Sequence, residues 1–261
     1  MTNPLFVART GDGPPVLFLH GLGGSHASWL PVADRLQGLR CIIPDLLGFG
    51  RSPKPPGRYD LDEHMAALEP VIAAEQPLAV VGHSMGGVVA LEVLRRNAGI
   101  AAGVLVSPAV FPATRSRGAT GGGLALQGLL VEAHRNSRAL CETLSLLRPV
   151  LRKLLPLFAR GLPNQVVRDG LEHTWASYSG SLERVIRSGA GPALLRDASV
   201  ARRVTILQAR DDGTVPVTVV QPFEQAVAHF ELIDGGHEAP VTRPGPVATA
   251  IERALAVVVP R

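Results

Sequence analysis

Lysine is nearly absent from this 261-residue chain: Lys54 and Lys153 are the only two, so 24 of the 26 basic residues are arginine. Aromatic residues are 4% and cysteines number two. Each shortage excludes something. Two distant cysteines, Cys41 and Cys141, do not make a disulfide framework. Cys41 lies in an apolar, strand-like run and reads as a buried free thiol, which fits a reducing, cytoplasmic compartment. The net charge is +4 and the pI about 9.7. No Lys/Arg cluster of the nucleic-acid-binding kind appears, so no nucleic-acid partner is expected. The uncharged stretch 98–114 is interrupted by Pro108 and Pro112 and is a poor membrane span, so no stable membrane insertion is expected. The start, MTNPLFVARTGDG, lacks the basic-then-apolar pattern of a signal peptide. His134 and His173 have no metal-like spacing with cysteines or acids, so neither metal nor cofactor is expected. There are no internal repeats. The Gly-rich patch GATGGG (118–123) follows no strand and lacks a phosphate-loop lysine, which leaves it a hinge or loop.

What is present is apolar and ordered. Hydrophobic residues are 46% and charged residues 18%. That composition is globular, and the length suits one large domain with an insertion. With few aromatics, Leu, Val and Ala must fill the core.

Short apolar strands alternate with helices. Strands are expected at 5–9, 16–20, 41–45, 78–82 and 103–107, and again at 204–208 and 230–234. Helices are expected at 29–36, from Asp60 to about Glu75, and at 85–96, 217–228 and 244–258. Asp60 with Glu63 is an N-cap signature, and proline in the first turn suits the last helix. Between 112 and 200 no β-branched strand run occurs; the stretch is Leu- and Arg-rich and helical in pattern. Too long for a loop, it is read as a cap, with 1–111 and 201–261 as the core. The fold class expected is α/β: a mostly parallel sheet of seven or eight strands, flanked by helices, with a helical cap insertion. The cap holds eleven arginines and one lysine against six acids, whereas the core is slightly acidic. Its Leu-rich face suits either a lid or a contact between copies, and the oligomeric state stays open.

Three motifs carry chemistry. GHSMG (82–86) sits between a strand and a helix. A serine hydroxyl is a poor nucleophile unless it is exposed on a sharp turn beside a base. Small residues at Gly82 and Gly86 permit that turn around Ser84, and the helix behind it aims N–H groups at developing negative charge. HGLGG (20–24), at the end of strand 16–20, offers a second oxyanion donor: Leu22, or the competing Gly23, with Met85 as the first. His20 reads as structural. GGHEAP (235–240) follows the last strand and makes His237 the best base among eight histidines, in the loop position where open α/β sheets place their sites. ARDDGTVP (209–216) offers the orienting acid. Gly21, His83, Ser107, Phe111 and Trp175 are candidate substrate contacts. Trp29 reads as core, and Tyr178 and Phe158, like Trp175 itself, suit a small core of the cap's own.

Together HGLGG, PDLLGFGRSPKP, GHSMGG, DDGTVP and GGHEAP resemble the α/β-hydrolase superfamily, in the style of capped bacterial esterases, lactonases and C–C hydrolases. The resemblance covers nearly the whole chain and is weak across the cap. It implies a D-x-x-V-P acid, which selects Asp212 over Asp211, and the order Ser84, Asp212, His237. The serine at position 84 excludes relatives with an aspartate nucleophile, such as dehalogenases and epoxide hydrolases. The implied activity is carboxylesterase-like, through an acyl-enzyme on Ser84. The alternatives are C–C cleavage, lactone opening, thioester cleavage or peroxyacid formation with the same residues, or a non-enzymatic binding protein on this scaffold. The expected partner is a small-molecule ester or related acyl compound, and a basic cap would favour an anionic one.

Overall fold

The computed structural model describes residues 4–113, 138–158, 162–256 and 258. GATGGG (118–123) and His134 lie outside the described residues, as does the side chain of Phe158.

Seven strands form one sheet: β1 (Val7–Thr10), β2 (Pro15–Leu19), β3 (Arg40–Pro44), β4 (Ala79–His83), β5 (Ala102–Val106), β6 (Val204–Ala209) and β7 (His229–Ile233). Their order is β1-β3-β2-β4-β5-β6-β7. All neighbours run parallel except β1, which pairs antiparallel with β3. The expectation of seven or eight strands resolves to seven among the described residues.

The strands read as unbroken apolar runs because both faces of the sheet are covered. In β2, Leu17 and Leu19 join one core cluster while Val16 and Phe18 join the other, the alternation that a period of two requires. The first cluster lies under α2 (Leu61–Glu75) and α3 (Met85–Arg96). The second includes residues of α1 (Leu30–Ala33) and the C-terminal Pro244–Leu255 helix. Asp60 caps α2 as expected, accepting from the Glu63 N–H at 3.1 Å, while the Glu63 carboxylate takes the Tyr59 N–H at 2.8 Å.

Between β5 and β6 every regular element among the described residues is helical: α4 (Arg138–Phe158), α5 (Asn164–Asp169), α6 (Trp175–Ser181), a π turn (Leu182–Ile186), α7 (Ala190–Arg196) and α8 (Ala198–Ala201). On α4, Leu146, Leu147, Val150 and Leu154 are exposed.

Two expected helices are shorter than the pattern suggested. Residues 29–36 give only α1, with Trp29 at its N-cap as a fully buried core ring. The stretch 217–228 gives α9 (Val217–Val220) and then a 3-10 turn, Gln221–Phe223, because Pro222 has no N–H to donate back along a helix. The chain ends with α10 (Ala239–Thr242) and α11 (Pro244–Leu255).

The topology places the site. From β2 the sheet grows one way to β3 and the other way to β4. The crevice beyond the C-terminal ends of β2 and β4 is therefore the switch point, where such sheets accept ligands. HGLGG follows β2 and Ser84 follows β4.

Candidate active site

Ser84 is a non-glycine residue held at φ 52°, ψ −117°. A backbone in such a region costs about 1–3 kcal/mol and persists only when its surroundings over-determine it. Here they do. The Ser84 N–H donates to Val106 O at 3.1 Å, and its carbonyl accepts from Gly87 and Ala109, each at 3.0 Å. The flanking glycines are sterically required. A Cβ on Gly82 would run into the Gly86 main chain, and one on Gly86 into the carbonyl oxygens of Leu19 and His20.

His237 bridges two distant side chains. Its Nε2 lies 3.0 Å from Ser84 Oγ and its Nδ1 lies 2.8 Å from Asp212 Oδ2. A carboxylate only accepts, so the proton sits on Nδ1 and Nε2 is free to take the serine hydrogen. Asp212 is itself positioned. Oδ1 accepts from Thr214 N at 2.8 Å and Val215 N at 2.7 Å. Burial alone would push this carboxyl up; the His237 contact, the Val215 N–H and the Ser107 hydroxyl outweigh it and hold it below the ordinary range. Asp211, the alternative acid, is exposed, with its N–H on Gly235 O.

The turn after β2 lies directly against the elbow: a Cβ on Gly21 would sit 3.2 Å from that of Ser84. The His20 tautomer is set by its partners. Nε2 accepts the Leu46 N–H at 2.9 Å, so Nδ1 carries the hydrogen and donates to Gly21 O at 2.8 Å. Gly24 N donates to the same oxygen at 3.1 Å. A trans peptide points its C=O and N–H in opposite directions, so the Leu22 N–H is turned away from His20. Among the described residues, neither the Leu22 nor the Met85 N–H has a hydrogen-bond partner. Gly23, the competing donor, has φ 73° and packs against the Tyr178 ring.

Two of the candidate substrate contacts, Ser107 and His83, are buried. Ser107 is wholly buried, at φ 46°, with its hydroxyl on Asp212. His83 is also buried, and its Nε2 donates to the His237 carbonyl at 2.8 Å. Burial, followed by the neighbouring His237, lowers its pKa to about 4, so it is neutral at pH 7. Both side chains are turned toward the groups that hold the site. Phe111 is half-buried against the first core cluster. Trp175 is half-buried at the start of α6.

Three further polar residues, to which the sequence analysis gave no role, support the site's loops. Gln208 is buried, and its amide donates to Val215 O at 2.8 Å, bracing the turn that presents Asp212. Asp45 is buried and accepts from His26 Nδ1 at 2.8 Å and Arg51 N at 2.7 Å. Asp169, on α5, accepts from the Ser25 hydroxyl at 2.7 Å. His26 reaches Asp45 from 19 residues away and Ser25 reaches Asp169 from 144 residues away. Among the described residues no group of three His, Cys, Asp or Glu side chains could hold a metal ion, and no helix is long and apolar enough to cross a membrane.

Residues 16–250 match the model of the Alpha/beta hydrolase family. The putative carbamate hydrolase RutD of Variovorax paradoxus is 32% identical over 244 residues, 88% of this chain and 87% of that protein. Lipase 3 of a Moraxella species is 40% identical over 83 residues, 30% of this chain, so the matched part spans only 26% of that lipase. Among solved structures, an esterase from Thermogutta terrifontis superposes with a TM-score of 0.69 at 23% identity, covering 98% of this chain and 94% of that one. The enol-lactonase from Burkholderia xenovorans LB400 gives a TM-score of 0.70 at 19% identity, covering 97% and 96%. At such identities the structural likeness speaks for the fold alone.

Proposed function

The chain belongs to the alpha/beta hydrolase family, and on that premise we propose that it is a serine hydrolase cleaving a carboxylic ester through an acyl-enzyme on Ser84. The observation that carries this reading is the position of His237, 3.0 Å from Ser84 Oγ and 2.8 Å from Asp212 Oδ2. His237 takes the serine proton as Oγ attacks the ester carbonyl. Asp212 holds the ring in the Nδ1–H tautomer and stabilises the imidazolium. The Leu22 and Met85 N–H groups take the oxyanion. His237 then returns the proton to the leaving alcohol, and the same base activates water for the second half of the reaction. Residues 112–200 form the cap over this crevice, and 1–111 with 201–261 form the core that bears the catalytic groups.

The relationship to the putative carbamate hydrolase, which spans most of both chains, favours one second reading: the same acyl chemistry on a carbamate. On a carbamic acid the serine oxygen would displace the amine or ammonia at the C–N bond, and water would then release the carboxyl group left on the serine as bicarbonate. The test is hydrolysis of a p-nitrophenyl ester series, from acetate to long acyl chains, by wild type and Ser84→Ala. We expect turnover by the wild type alone, and a fluorophosphonate adduct on Ser84. Ester turnover that survives Ser84→Ala would sink the mechanism. Inactivity on every ester with release of amine or ammonia from a carbamate would replace the first reading by the second.

A further inference from the structure

The turn Gly21–Ser25, which carries Leu22, is gripped from two sides. On the core side, His20 Nδ1 holds Gly21 O. On the other side it meets the helices inserted between β5 and β6. Ser25 Oγ accepts from Ala27 N at 3.1 Å and donates to Asp169 Oδ2 at 2.7 Å. The other Asp169 oxygen accepts from the Gln165 amide at 2.7 Å. Ser25 and Asp169 are 1% and 3% exposed, so water does not compete for this bond. Two further contacts flank it. A Cβ on Gly170 would come within 3.9 Å of Gly23 O, and one on Gly23 within 3.4 Å of the Tyr178 ring.

A buried carboxylate is costly unless its hydrogen bonds are made. Asp169 makes its bonds to a serine that belongs to the oxyanion turn and lies 144 residues away in sequence. The core therefore orients the Gly21–Leu22 peptide through His20, and the insertion fixes the far end of the same turn through Asp169. We propose that Asp169 is a positioning residue: the cap sets the geometry of the oxyanion donor at Leu22 through the Asp169–Ser25 hydrogen bond. This rests on the serine-hydrolase reading above. The insertion then does more than cover the crevice. A cap displaced from its seat releases Ser25, and the Leu22 N–H loses its aim.

The experiment compares Asp169→Ala, Asp169→Asn, Ser25→Ala and, as a control, Ser181→Ala. Ser181 makes another buried bond between insertion and core, to His64 Nε2 at 3.0 Å, and does not touch the turn. Asp169→Ala is expected to lower kcat on a p-nitrophenyl ester by about 10- to 100-fold with KM little changed, less than the ~10²–10³ of an oxyanion donor lost outright. Affinity for a trifluoromethyl ketone, which presents an oxyanion, should fall in parallel with kcat/KM. Amide exchange at Gly24, whose N–H is bonded to Gly21 O across the turn, should rise. Asp169→Asn keeps an acceptor for Ser25 and should recover most of the rate. Ser25→Ala should match Asp169→Ala and add nothing to it in the double variant, and it decides the matter should Asp169→Ala fail to fold. An equal kcat loss in Ser181→Ala, a change confined to KM, or unaltered exchange at Gly24 overturns the proposal. A wild type inactive on every ester would instead overturn the hydrolase reading, while exchange at Gly24 still decides whether Asp169 holds the turn.

Discussion

His83 donates its Nε2 hydrogen to the main-chain oxygen of His237 at 2.8 Å, and the two rings lie 4.8 Å apart. The residue before the proposed nucleophile thus holds the loop that carries the proposed base, across 154 positions of sequence. Removing that tether should change how His237 is aimed without touching its chemistry. His83→Ala is expected to lower kcat by about 10-fold with KM nearly constant, since small misplacements of a catalytic group are expensive. Steady-state kinetics decide it, and a loss seen only in KM would contradict it.

The Ser84–His237–Asp212 chain predicts unequal penalties. Ser84→Ala should cost about 10⁶ in kcat, and Asp212→Asn about 10⁴, because the amide favours the wrong His237 tautomer. Both variants should fold, as shown by far-UV circular dichroism and unchanged urea midpoints. An Asp212→Asn enzyme within tenfold of wild type would remove Asp212 from the mechanism.

Acid should destabilise the fold through two buried imidazoles. Burial lowers His64 and His83 from 6.5 to about 4. In the unfolded chain both take a proton near 6.5, so between pH 6.5 and about 4 the unfolded state binds more protons. Stability is full above this window and falls as pH drops through it, by up to ~3 kcal/mol per group. Urea midpoints at pH 7, 5.5 and 4 should decline. In His64→Gln, which keeps a partner for Ser181 and does not titrate, the decline should be shallower. Identical slopes for wild type and variant would rule His64 out.

Gly86→Ala tests the steric basis of the elbow. The new methyl group would overlap the Leu19 and His20 carbonyls, at the end of β2, which cannot retreat without moving the Gly21–Ser25 turn. A loss of about 2–4 kcal/mol in chemical denaturation is expected, with activity falling in whatever protein remains folded. Wild-type stability in this variant would mean that the close approach is not required.

Much of this was legible in the sequence, for definable reasons. Strands β2, β4, β5 and β6 are doubly buried, so each appears as an apolar run, within one residue of where it lies. Asp60 and Glu63 marked the start of α2 because a cap is a local interaction. The 217–228 stretch misled because its apolar spacing looked helical while Pro222 broke it. Ser107 stands at the end of a strand, a place that favours facing the site, and His83 is a candidate substrate contact without such an argument. Their side chains are instead taken up by Asp212 and by the His237 carbonyl, partners that arrive from β6 and β7.

Alone, the sequence determined the alternation of strand and helix, the strand–serine–helix turn at 82–86, and the order of the three motifs, because these depend on residues a few positions apart. The tertiary structure decided the rest. It set His237 within 3.0 Å of Ser84, turned His83 and Ser107 inward, and joined Asp169 to Ser25. The hydrogen bonds His237–Ser84, His83–His237 and Asp169–Ser25 link residues from 144 to 154 positions apart. No local pattern encodes them; they exist because a buried polar group must find a partner, and only the folded sheet and its helices bring one within reach.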